Sequence, residues 1–556
     1  MLTKRQEILL GKLIAFCGFS ITVFIYNGFG YDPVNFPKMF LLVMLSGVIF
    51  GIWIGNVKKI YKSQHRNELR LSIFFLLGLV ISTWMSKSNF EISFFGTSGR
   101  NTGALTYLSL LLVFMACFSL SDFKNYERII YAVLFAGFIN VFYCSFILIS
   151  GRDPFPWKNP YNTFLGTLGN PDFISAFLGM IFSISLPIIF LSNIDKVKKV
   201  LLSTTLIVEL YLIIETNALQ GIVVSAIGFS AYLFLVIRAK FTKFIQNLYL
   251  CVVFLVSALA VLGMLQIGPL TNFIYKTSVS LRGEYWHAGI NMFRSSPIWG
   301  IGLDSYGDFY RMFRRPSSIV LPGVNVTTDT AHNVLIDILA GGGILLFVSY
   351  LALNFYGGWQ VFKYVKARKA LDPVFISLFL GWITYTAQSI ISINQIGLAI
   401  WGWIFLGLLI GYTKNNIERT KSSSSYNKNS KQEELTPGHF MVSFLSTIIA
   451  FLLVIPIARS EIAWKHSLRH DPAEQIVDKT NAWPRNHQRF SQTINLLLKS
   501  NMPKEALQLA RLNARFDPNS YNPWFYIYNI TNNESEKSKA KSMLKYIDPL
   551  NPTYNK

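Results

Sequence analysis

Long apolar stretches, separated by short polar segments, dominate the chain up to about residue 458. Crossing a lipid bilayer as a helix takes roughly 20 apolar residues, and most of these stretches have about that length. The pattern therefore predicts an all-α polytopic membrane protein with about thirteen transmembrane helices. The predicted spans are 8–28, 38–57, 70–86, 104–120, 129–150, 173–192, 199–215, 221–238, 247–267, 333–357, 373–393, 396–413 and 439–458.

Basic residues collect on alternate sides of these spans. Lys4 and Arg5 precede the first span, and the later even-numbered turns carry clusters of lysine and arginine. Because short loops rich in lysine and arginine stay in the cytoplasm, we expect the N-terminus there and the C-terminus outside. The outer side then receives four segments, which are 87–103, 151–172, 268–331 and the tail from about 459.

The spans and loops divide the chain into four predicted regions. Residues 1–413 form a twelve-span membrane body that contains the large outer loop 268–331. Residues 414–438 form a flexible cytoplasmic linker rich in Ser, Asn and Lys. A final transmembrane helix, 439–458, then exports the polar segment 459–556.

The segment 459–556 has the apolar spacing of amphipathic helices. Its stretch PKEALQLARLNARFDPNSYNPWFYIYN resembles tetratricopeptide repeats, since an Ala- and Leu-rich helix is followed by an Asp-Pro break and an aromatic helix. The resemblance covers about two repeats and implies a small helical periplasmic domain. Two roles are open for this domain, a stabilising cap or a surface that binds an acceptor or partner.

Composition agrees with a membrane protein and argues against other classes. Hydrophobic residues make up 52% of the chain and charged residues 14%, whereas soluble chains usually carry about 25% charged residues. The formal charge of +22 sits mostly in short loops, so topology and contacts with anionic membrane lipids account for it better than nucleic acid does. The four cysteines lie inside apolar runs without metal-ligand spacing, which indicates packing.

The large outer loop contains the first candidate functional residues, in SLRGEYWHAGINMFRSSPIWGIG. Arg282 and Trp286 share one face of a predicted amphipathic helix, 282–294, which we expect to lie at the membrane surface. The PIWGIG segment ends this helix and predicts a tight, close-packed turn. Because a guanidinium group binds phosphate through two parallel hydrogen bonds, Arg282 is a candidate phosphate ligand. Anchoring of the helix at the interface is the alternative role.

A histidine stands directly before the tenth predicted span, in TAHNVLIDILAGGG. With an ordinary pKa of about 6.5, His332 is a candidate general base, and a purely interfacial position is the alternative. Gly341, Gly342 and Gly343 allow close helix packing or a local kink.

Two further Gly- and Asn-containing turns face the same side, FFGTSGRNTG at 94–103 and TFLGTLGNPDF at 163–173. Arg100 is the strong cation of the first turn, and Asn170 and Asp172 are the polar candidates of the second. No acidic cluster with metal-ligand spacing occurs in the outer loops of the sequence, so we expect no metal.

In combination, these segments resemble the O-antigen ligase and polymerase superfamily, membrane glycosyltransferases that use lipid-linked saccharides. His332 and Asn333, followed after nine residues by Gly343, are similar to the family's HN-x9-G element behind its large periplasmic loop. Arg282 and Trp286 before PIWGIG are similar to its Arg–aromatic helix followed by P-x-x-G-x-G. GNPDF and FFGTSGRNTG resemble further family segments, so the likeness extends over essentially the whole chain.

One position departs from the family pattern. Many members carry Ser-Arg-Gly between the spans that correspond to the seventh and eighth, whereas this chain has Leu-Gln-Gly, with Gln220 in place of the arginine. A neutral amide can still donate a hydrogen bond to a phosphate oxygen, but it adds no charge. The candidates for a compensating cation are Arg100, Arg311, Arg314 and Arg315.

The resemblance implies a GT-C-like architecture in a bacterial inner membrane and a donor saccharide carried on undecaprenyl diphosphate. It implies an acceptor that is a glycan, lipid A core or a protein, and no cofactor. By this likeness His332 deprotonates the acceptor hydroxyl while Arg282 neutralises the departing diphosphate, with inversion at the anomeric carbon. The residues expected to bind the donor or the glycan are Arg100, Gln220, Arg311, Arg314, Arg315, Asn333, Trp286 and Asn170.

Two other classes of function stay open. One is a lipid or polysaccharide transporter or flippase, which the small number of ionisable residues inside the spans and the lack of an internal sequence repeat make less favoured. The other is a structural assembly protein that acts through its tail.

Overall fold

Helices and the loops that connect them make up the protein. The computed structural model describes residues 2–28, 32–157, 159–274, 277–368, 370–421 and 437–555. No strand occurs in this part of the chain, so the predicted all-α fold class is confirmed. Most of the predicted linker, 422–436, lies outside the described residues.

The membrane body is a bundle of long helices with a few short ones between them. Its helices before the large loop are α1 (Lys4–Val23), α2 (Asn35–Ile54), α3 (Val57–Tyr61), α4 (Arg66–Met85), α5 (Phe90–Phe95), α6 (Ala104–Phe118), α7 (Phe123–Ser150), α8 (Pro171–Leu191), α9 (Lys196–Glu215), α10 (Leu219–Lys240) and α11 (Lys243–Met264). The large loop contains α12 (Thr271–Ile274), α13 (Thr277–Ser295) and α14 (Tyr306–Phe313). The body continues with α15 (Val334–Ala367), α16 (Pro373–Ile391), α17 (Ile396–Lys421) and α18 (Pro437–His470).

Each of the thirteen predicted spans coincides with one of these helices. Eleven helices in the described residues are long and apolar enough to cross a membrane. Of the other two, α6 has only 15 residues and α9 carries several lysines and glutamates. The protein is therefore a multi-pass membrane protein, whereas the count of thirteen and the orientation of the termini stay predictions.

Two helices extend well past the apolar stretches that predicted them. The predicted spans end at residues 357 and 458, but α15 ends at Ala367 and α18 reaches His470. A helix satisfies its backbone hydrogen bonds internally, so it can continue into polar sequence that hydropathy does not mark. As a result α18 runs directly from the membrane body into the tail.

The centre of the bundle is α17, whose apolar length is buried throughout. A helix that is apolar all round is expected at such a central position. The indole N–H of Trp401 in α17 donates to the hydroxyl of Thr22 near the end of α1, at 2.7 Å. Of the four cysteines, Cys251 alone is exposed, on α11; the other three are buried, as packing residues should be.

The tail consists of short amphipathic helices that pack on one another in chain order. Phe490, Ile494, Leu509 and Leu544 belong to a hydrophobic core that also includes Ile92 of α5. A helical tail is thus present, while the resemblance to tetratricopeptide repeats stays a prediction. The tail helices are α19 (Ala473–Thr480), α20 (His487–Lys499), α21 (Pro503–Phe516), α22 (Tyr521–Ile530), α23 (Glu534–Ile547) and α24 (Pro552–Asn555).

Candidate active site

Helix α15 is interrupted at Gly343, the last position of the HN-x9-G element. The φ of +67° and ψ of −173° at this residue belong to a region that glycine adopts and other residues avoid. The N–H of Ile344, just beyond the break, donates to the carbonyl of Pro297 at 2.8 Å. A Cβ at position 343 would lie 2.3 Å from the carbonyl oxygen of Ile298. The local kink allowed by the glycines is therefore present, and a close backbone approach requires it.

The PIWGIG turn forms the other side of this junction. Gly300 and Gly302 both have positive φ, as the predicted tight turn requires. The N–H of Ile301 donates to the carbonyl of Ala340 at 2.9 Å. The N–H of Gly302 donates to the carbonyl of Gly341, also at 2.9 Å. Two glycine motifs that are distant in sequence thus fix the end of α13 against the first half of α15.

His332 immediately precedes the capping residue of α15 and has a left-handed φ of +52°. Its backbone N–H donates to the hydroxyl of Thr330 at 3.0 Å. Its imidazole stacks on the ring of Tyr285 in α13, with ring centroids 5.7 Å apart. Burial, together with the charges of Arg100 and Arg282, lowers the pKa of His332 to about 4. The imidazole is therefore neutral at physiological pH and can accept a proton.

Asn333 is the N-cap residue of α15. Its side-chain oxygen accepts hydrogen bonds from the N–H groups of Leu335 at 3.0 Å and Ile336 at 3.2 Å. These N–H groups have no partner inside the helix, so the cap satisfies two half-buried donors next to His332. The HN pair thus joins a candidate base to the residue that starts its helix, and a direct role of Asn333 in substrate binding stays a prediction.

An Asn333→Ala variant should lose about 1 kcal/mol of stability, the usual cost of removing a side-chain cap. Asn333→Asp should keep most of that stability, because aspartate is an equally good cap. Thermal unfolding of the purified proteins in one detergent measures the difference. Equal unfolding temperatures for the two variants would contradict the capping role.

Arg100 is held by a turn that the large loop organises. The carboxylate of Asp304, in the loop, accepts hydrogen bonds from the N–H groups of Thr97 at 2.8 Å and Thr102 at 3.0 Å. Burial raises the pKa of Asp304 to about 6. The Arg100 guanidinium forms a two-point pair with Asp329, with N–O distances of 2.6 and 2.7 Å. Burial alone would raise the pKa of Asp329, but the pair with Arg100 holds that pKa below its usual value.

A cavity of about 300 Å³ brings several of these segments together. Arg100, Asn170 and His332 all line it, although they come from three separate parts of the sequence. Its size lies at the lower end of the range typical of ligand pockets. Its other polar lining residues are Asp32, Asn35, Asp172, Asp329 and Ser392.

Arg282 and Trp286 lie on α13, the helix that carries Tyr285. The predicted helix 282–294 is confirmed as part of α13, while its position at a membrane surface stays a prediction. Burial lowers the pKa of Arg282, and the negative charge of Asp172 partly offsets this. The Nε atom of Arg282 and the indole nitrogen of Trp286 are buried without a hydrogen-bond partner among the described residues. Buried donors of this kind are available to a ligand.

Residues 202–351 match the family model described as O-antigen ligase. This match supports the resemblance of the chain to the O-antigen ligase and polymerase superfamily. The matched region runs from α9 into α15, and it contains Gln220, Arg282 and His332. Arg100 and Asn170, on the other side of the cavity, come from outside the matched region. No curated protein matches the chain significantly.

Gln220 lies in the matched region at the start of α10, at the position for which the family resemblance implies an arginine. Its side chain is buried, and both amide atoms are without a hydrogen-bond partner in the described part of the chain. The N–H of the next residue, Gly221, donates to the hydroxyl of Ser175 in α8 at 3.1 Å. Gln220 therefore lies next to a contact with α8, the helix whose first turn contains Asp172, but it does not line the cavity itself.

The three arginines at the end of α14 have protein partners instead of facing the cavity. Arg311 and Arg314 both bind the carboxylate of Asp548 in the tail, at 2.8 and 2.7 Å. Arg315 forms a two-point pair with Glu284 of α13, at 2.6 and 2.7 Å. The structure thus does not bring these guanidinium groups to His332, and their binding of a phosphate stays a prediction.

Four polar cavity residues are not among the candidates predicted from the sequence, namely Asp32, Asn35, Asp329 and Ser392. The side-chain amide of Asn35 donates to the carbonyl of Gly99 at 2.7 Å, next to Arg100. Its oxygen accepts a hydrogen bond from Gln395 at 3.2 Å. A polar residue at the start of a span is common as a cap, so Asn35 carries no distinctive signal. Asp329 has one signal, its position three residues before His332.

The expectation that no metal takes part stays untested. In the part of the chain that the structure describes, one group of residues could hold a cation, namely Asp308, His487 and Asp517, whose ligand atoms lie within 4.8 Å of one another. This group lies between the loop and the tail, and none of its members lines the cavity.

Proposed function

We propose that the cavity at His332 transfers a saccharide from undecaprenyl diphosphate to an acceptor hydroxyl on the outer face of the membrane. The match of residues 202–351 to the O-antigen ligase model supports a membrane glycosyltransferase of this general type. The acceptor hydroxyl belongs to a glycan, to lipid A core or to a protein.

One observation carries the proposal: His332 shares its cavity with Arg100, and its imidazole stacks on Tyr285 of α13, the helix that carries Arg282. Arg100 lines the same cavity as His332, and the charge of Arg282 acts on the imidazole as well. Positive charge beside a general base suits a reaction in which a proton leaves the acceptor while negative charge develops on a leaving group. A binding protein would have no need for the base.

In the proposed reaction, the acceptor oxygen attacks the anomeric carbon of the donor saccharide. A new carbon–oxygen bond forms there as the bond from the anomeric carbon to the diphosphate oxygen breaks. The proton of the acceptor hydroxyl passes to the imidazole of His332, and the lipid diphosphate leaves with the electron pair. Attack opposite the leaving group inverts the configuration of the anomeric carbon.

The two arginines differ in what they can offer the diphosphate. Arg100 already shares its charge with Asp329. Arg282 lacks such a two-point partner among the described residues, and its Nε donor is unused. We therefore assign the main stabilisation of the leaving group to Arg282. Because negative charge grows on the diphosphate as the bond breaks, a fixed cation there stabilises the transition state more than the ground state.

The test replaces His332 and Arg282 by alanine in cells that depend on this chain. Each variant should reach the membrane, lose the glycan ladder on a gel and accumulate the lipid-linked donor. His287→Ala and Arg294→Ala are the matched controls, since both residues lie on α13 and should leave the ladder unchanged. A normal ladder in both test variants would overturn the proposal and favour transport.

The pH dependence of transfer follows from the lowered pKa of His332. A general base works in its neutral form, so kcat/KM should stay near its full value from about pH 7 to about pH 5. It should fall only as the pH approaches about 4, where the imidazole becomes protonated. A base with an ordinary pKa would lose half its activity at about pH 6.5. Initial rates across this range distinguish the two, and a half-point near pH 6.5 would contradict the assignment.

A further inference from the structure

The tail holds the loop helix α14 at two points. At the first, His487 of the tail lies 3.0 Å from Asp517 and 3.6 Å from Asp308 of α14. The imidazole of His487 thus links the start of α14 to the tail.

The second point lies at the other end of α14. Asp548 follows α23, and its side chain is fully buried between Arg311 and Arg314. The guanidinium of Arg311 also lies over the ring of Tyr521, 4.1 Å from its centroid. Buried charges require such partners, so the contact is specific and not a loose surface pair.

Aromatic contacts lead from α14 to the candidate base. The ring of Tyr310, which lies between the two contact points along α14, meets the ring of Tyr285 edge to face, with ring centroids 5.8 Å apart. Tyr285 in turn stacks on the imidazole of His332. The hydroxyl of Tyr306, at the start of α14, donates to the backbone carbonyl of Tyr285. A single packed path therefore connects the tail to His332.

We propose that Asp548 is a positioning residue for His332, acting through α14 and Tyr285, so that the tail is an integral part of the transfer site. Asp548 touches neither the cavity nor the reacting atoms. Its carboxylate fixes the two arginines, the arginines fix α14, and α14 fixes the aromatic ring on which the imidazole rests. The inference rests on the proposed function of His332.

The first test is Asp548→Asn in the full chain. Purified protein is assayed with the lipid-linked saccharide extracted from cells that lack this chain, and with acceptor-containing membranes from the same cells. Because a small misplacement of a catalytic group is costly, kcat should fall by about tenfold or more. KM for the donor should change by less than about twofold, since the phosphate ligand Arg282 keeps its side chain.

Glu536→Gln is the matched control. Glu536 lies on the neighbouring α23 and forms a two-point pair with Arg511, but that pair stays within the tail. It should leave kcat unchanged. Equal kcat values for the Asp548→Asn variant, the Glu536→Gln variant and the unchanged protein would overturn the proposal.

Asp548→Asn leaves two buried arginines without a countercharge and could prevent folding. A triple variant, Arg311→Met, Arg314→Met and Asp548→Leu, removes all three charges and keeps the volume. It should fold and still show the loss of kcat. A triple variant that folds with full kcat would overturn the proposal equally well.

A double-mutant cycle with Tyr285→Leu separates positioning from general weakening of the fold. If Asp548 acts through Tyr285, adding Asp548→Asn to the Tyr285→Leu variant should lower kcat by less than about twofold further. If the double variant instead loses the product of the two single-variant losses of kcat, Asp548 does not act through Tyr285 and the proposal is overturned. If the His332→Ala variant keeps its activity, the proposed function itself is wrong. This result does not depend on any Asp548 variant, so the two failures are distinguishable.

Discussion

Replacing Gly343 by alanine should lower transfer activity by about a hundredfold or more, because a misplacement of about 1 Å at a catalytic group has an effect of that size. The alanine Cβ would lie 2.3 Å from the carbonyl of Ile298, and the φ of +67° is unfavourable for any residue with a Cβ. Either α15 or the PIWGIG turn must move, and the two together set the distance from α13 to His332. The effect is measured as the transfer rate per folded molecule, with protein purified in detergent.

Gly358→Ala is the control for this prediction. Gly358 lies on the same helix with ordinary helical geometry, and a Cβ there would meet the ring of Trp382 at 3.6 Å, a normal contact. This variant should keep both yield and activity. If Gly343→Ala behaves in the same way, the junction of the two glycine motifs does not fix the site.

Arg282→Ala should lower kcat by about 10²- to 10³-fold, the range seen when one fixed donor to a developing negative charge is removed. Arg282→Lys should retain part of the rate, because it keeps the charge but loses the planar, two-point geometry. The effect should be on kcat more than on KM, since the diphosphate gains negative charge only as the bond to the sugar breaks. Steady-state rates at several donor concentrations separate the two constants.

Arg294→Ala provides the comparison on the same helix. Arg294 is in the last turn of α13 and is exposed, so its loss should leave kcat within about twofold of the unchanged protein. A rate for Arg282→Ala as high as that of Arg294→Ala would remove Arg282 from the proposed mechanism.

The membrane fold could be predicted from the sequence because its main constraint acts along the chain. Most polar backbone groups in the bilayer are paired within their own helix, so a span can be recognised as an apolar stretch of about 20 residues. The residues at which the helices end are less predictable from the sequence. The extension of α15 to Ala367 and of α18 to His470 depends on polar sequence that forms helix outside the apolar stretch.

The site could be predicted where its parts are neighbours in sequence. The kink at Gly343 and the PIWGIG turn follow from glycine spacing, and His332 follows from its place at the start of a span. Pairs between distant residues could not be predicted in this way. Arg314 and Asp548 are 234 positions apart, and a guanidinium group fits a carboxylate as well as it fits a phosphate. A single sequence does not distinguish a carboxylate partner from a phosphate partner, and for this reason the sequence predicts Arg314 as a ligand of the donor.

The most direct test of the central claim measures the release of undecaprenyl diphosphate by the purified full chain in lipid nanodiscs. The donor is the lipid-linked saccharide extracted from cells that lack this chain, and the rate is compared with and without acceptor membranes. We predict acceptor-dependent release by the unchanged protein and by His287→Ala, and a rate at least about a hundredfold lower for His332→Ala. Release by His332→Ala at the rate of His287→Ala would contradict the account.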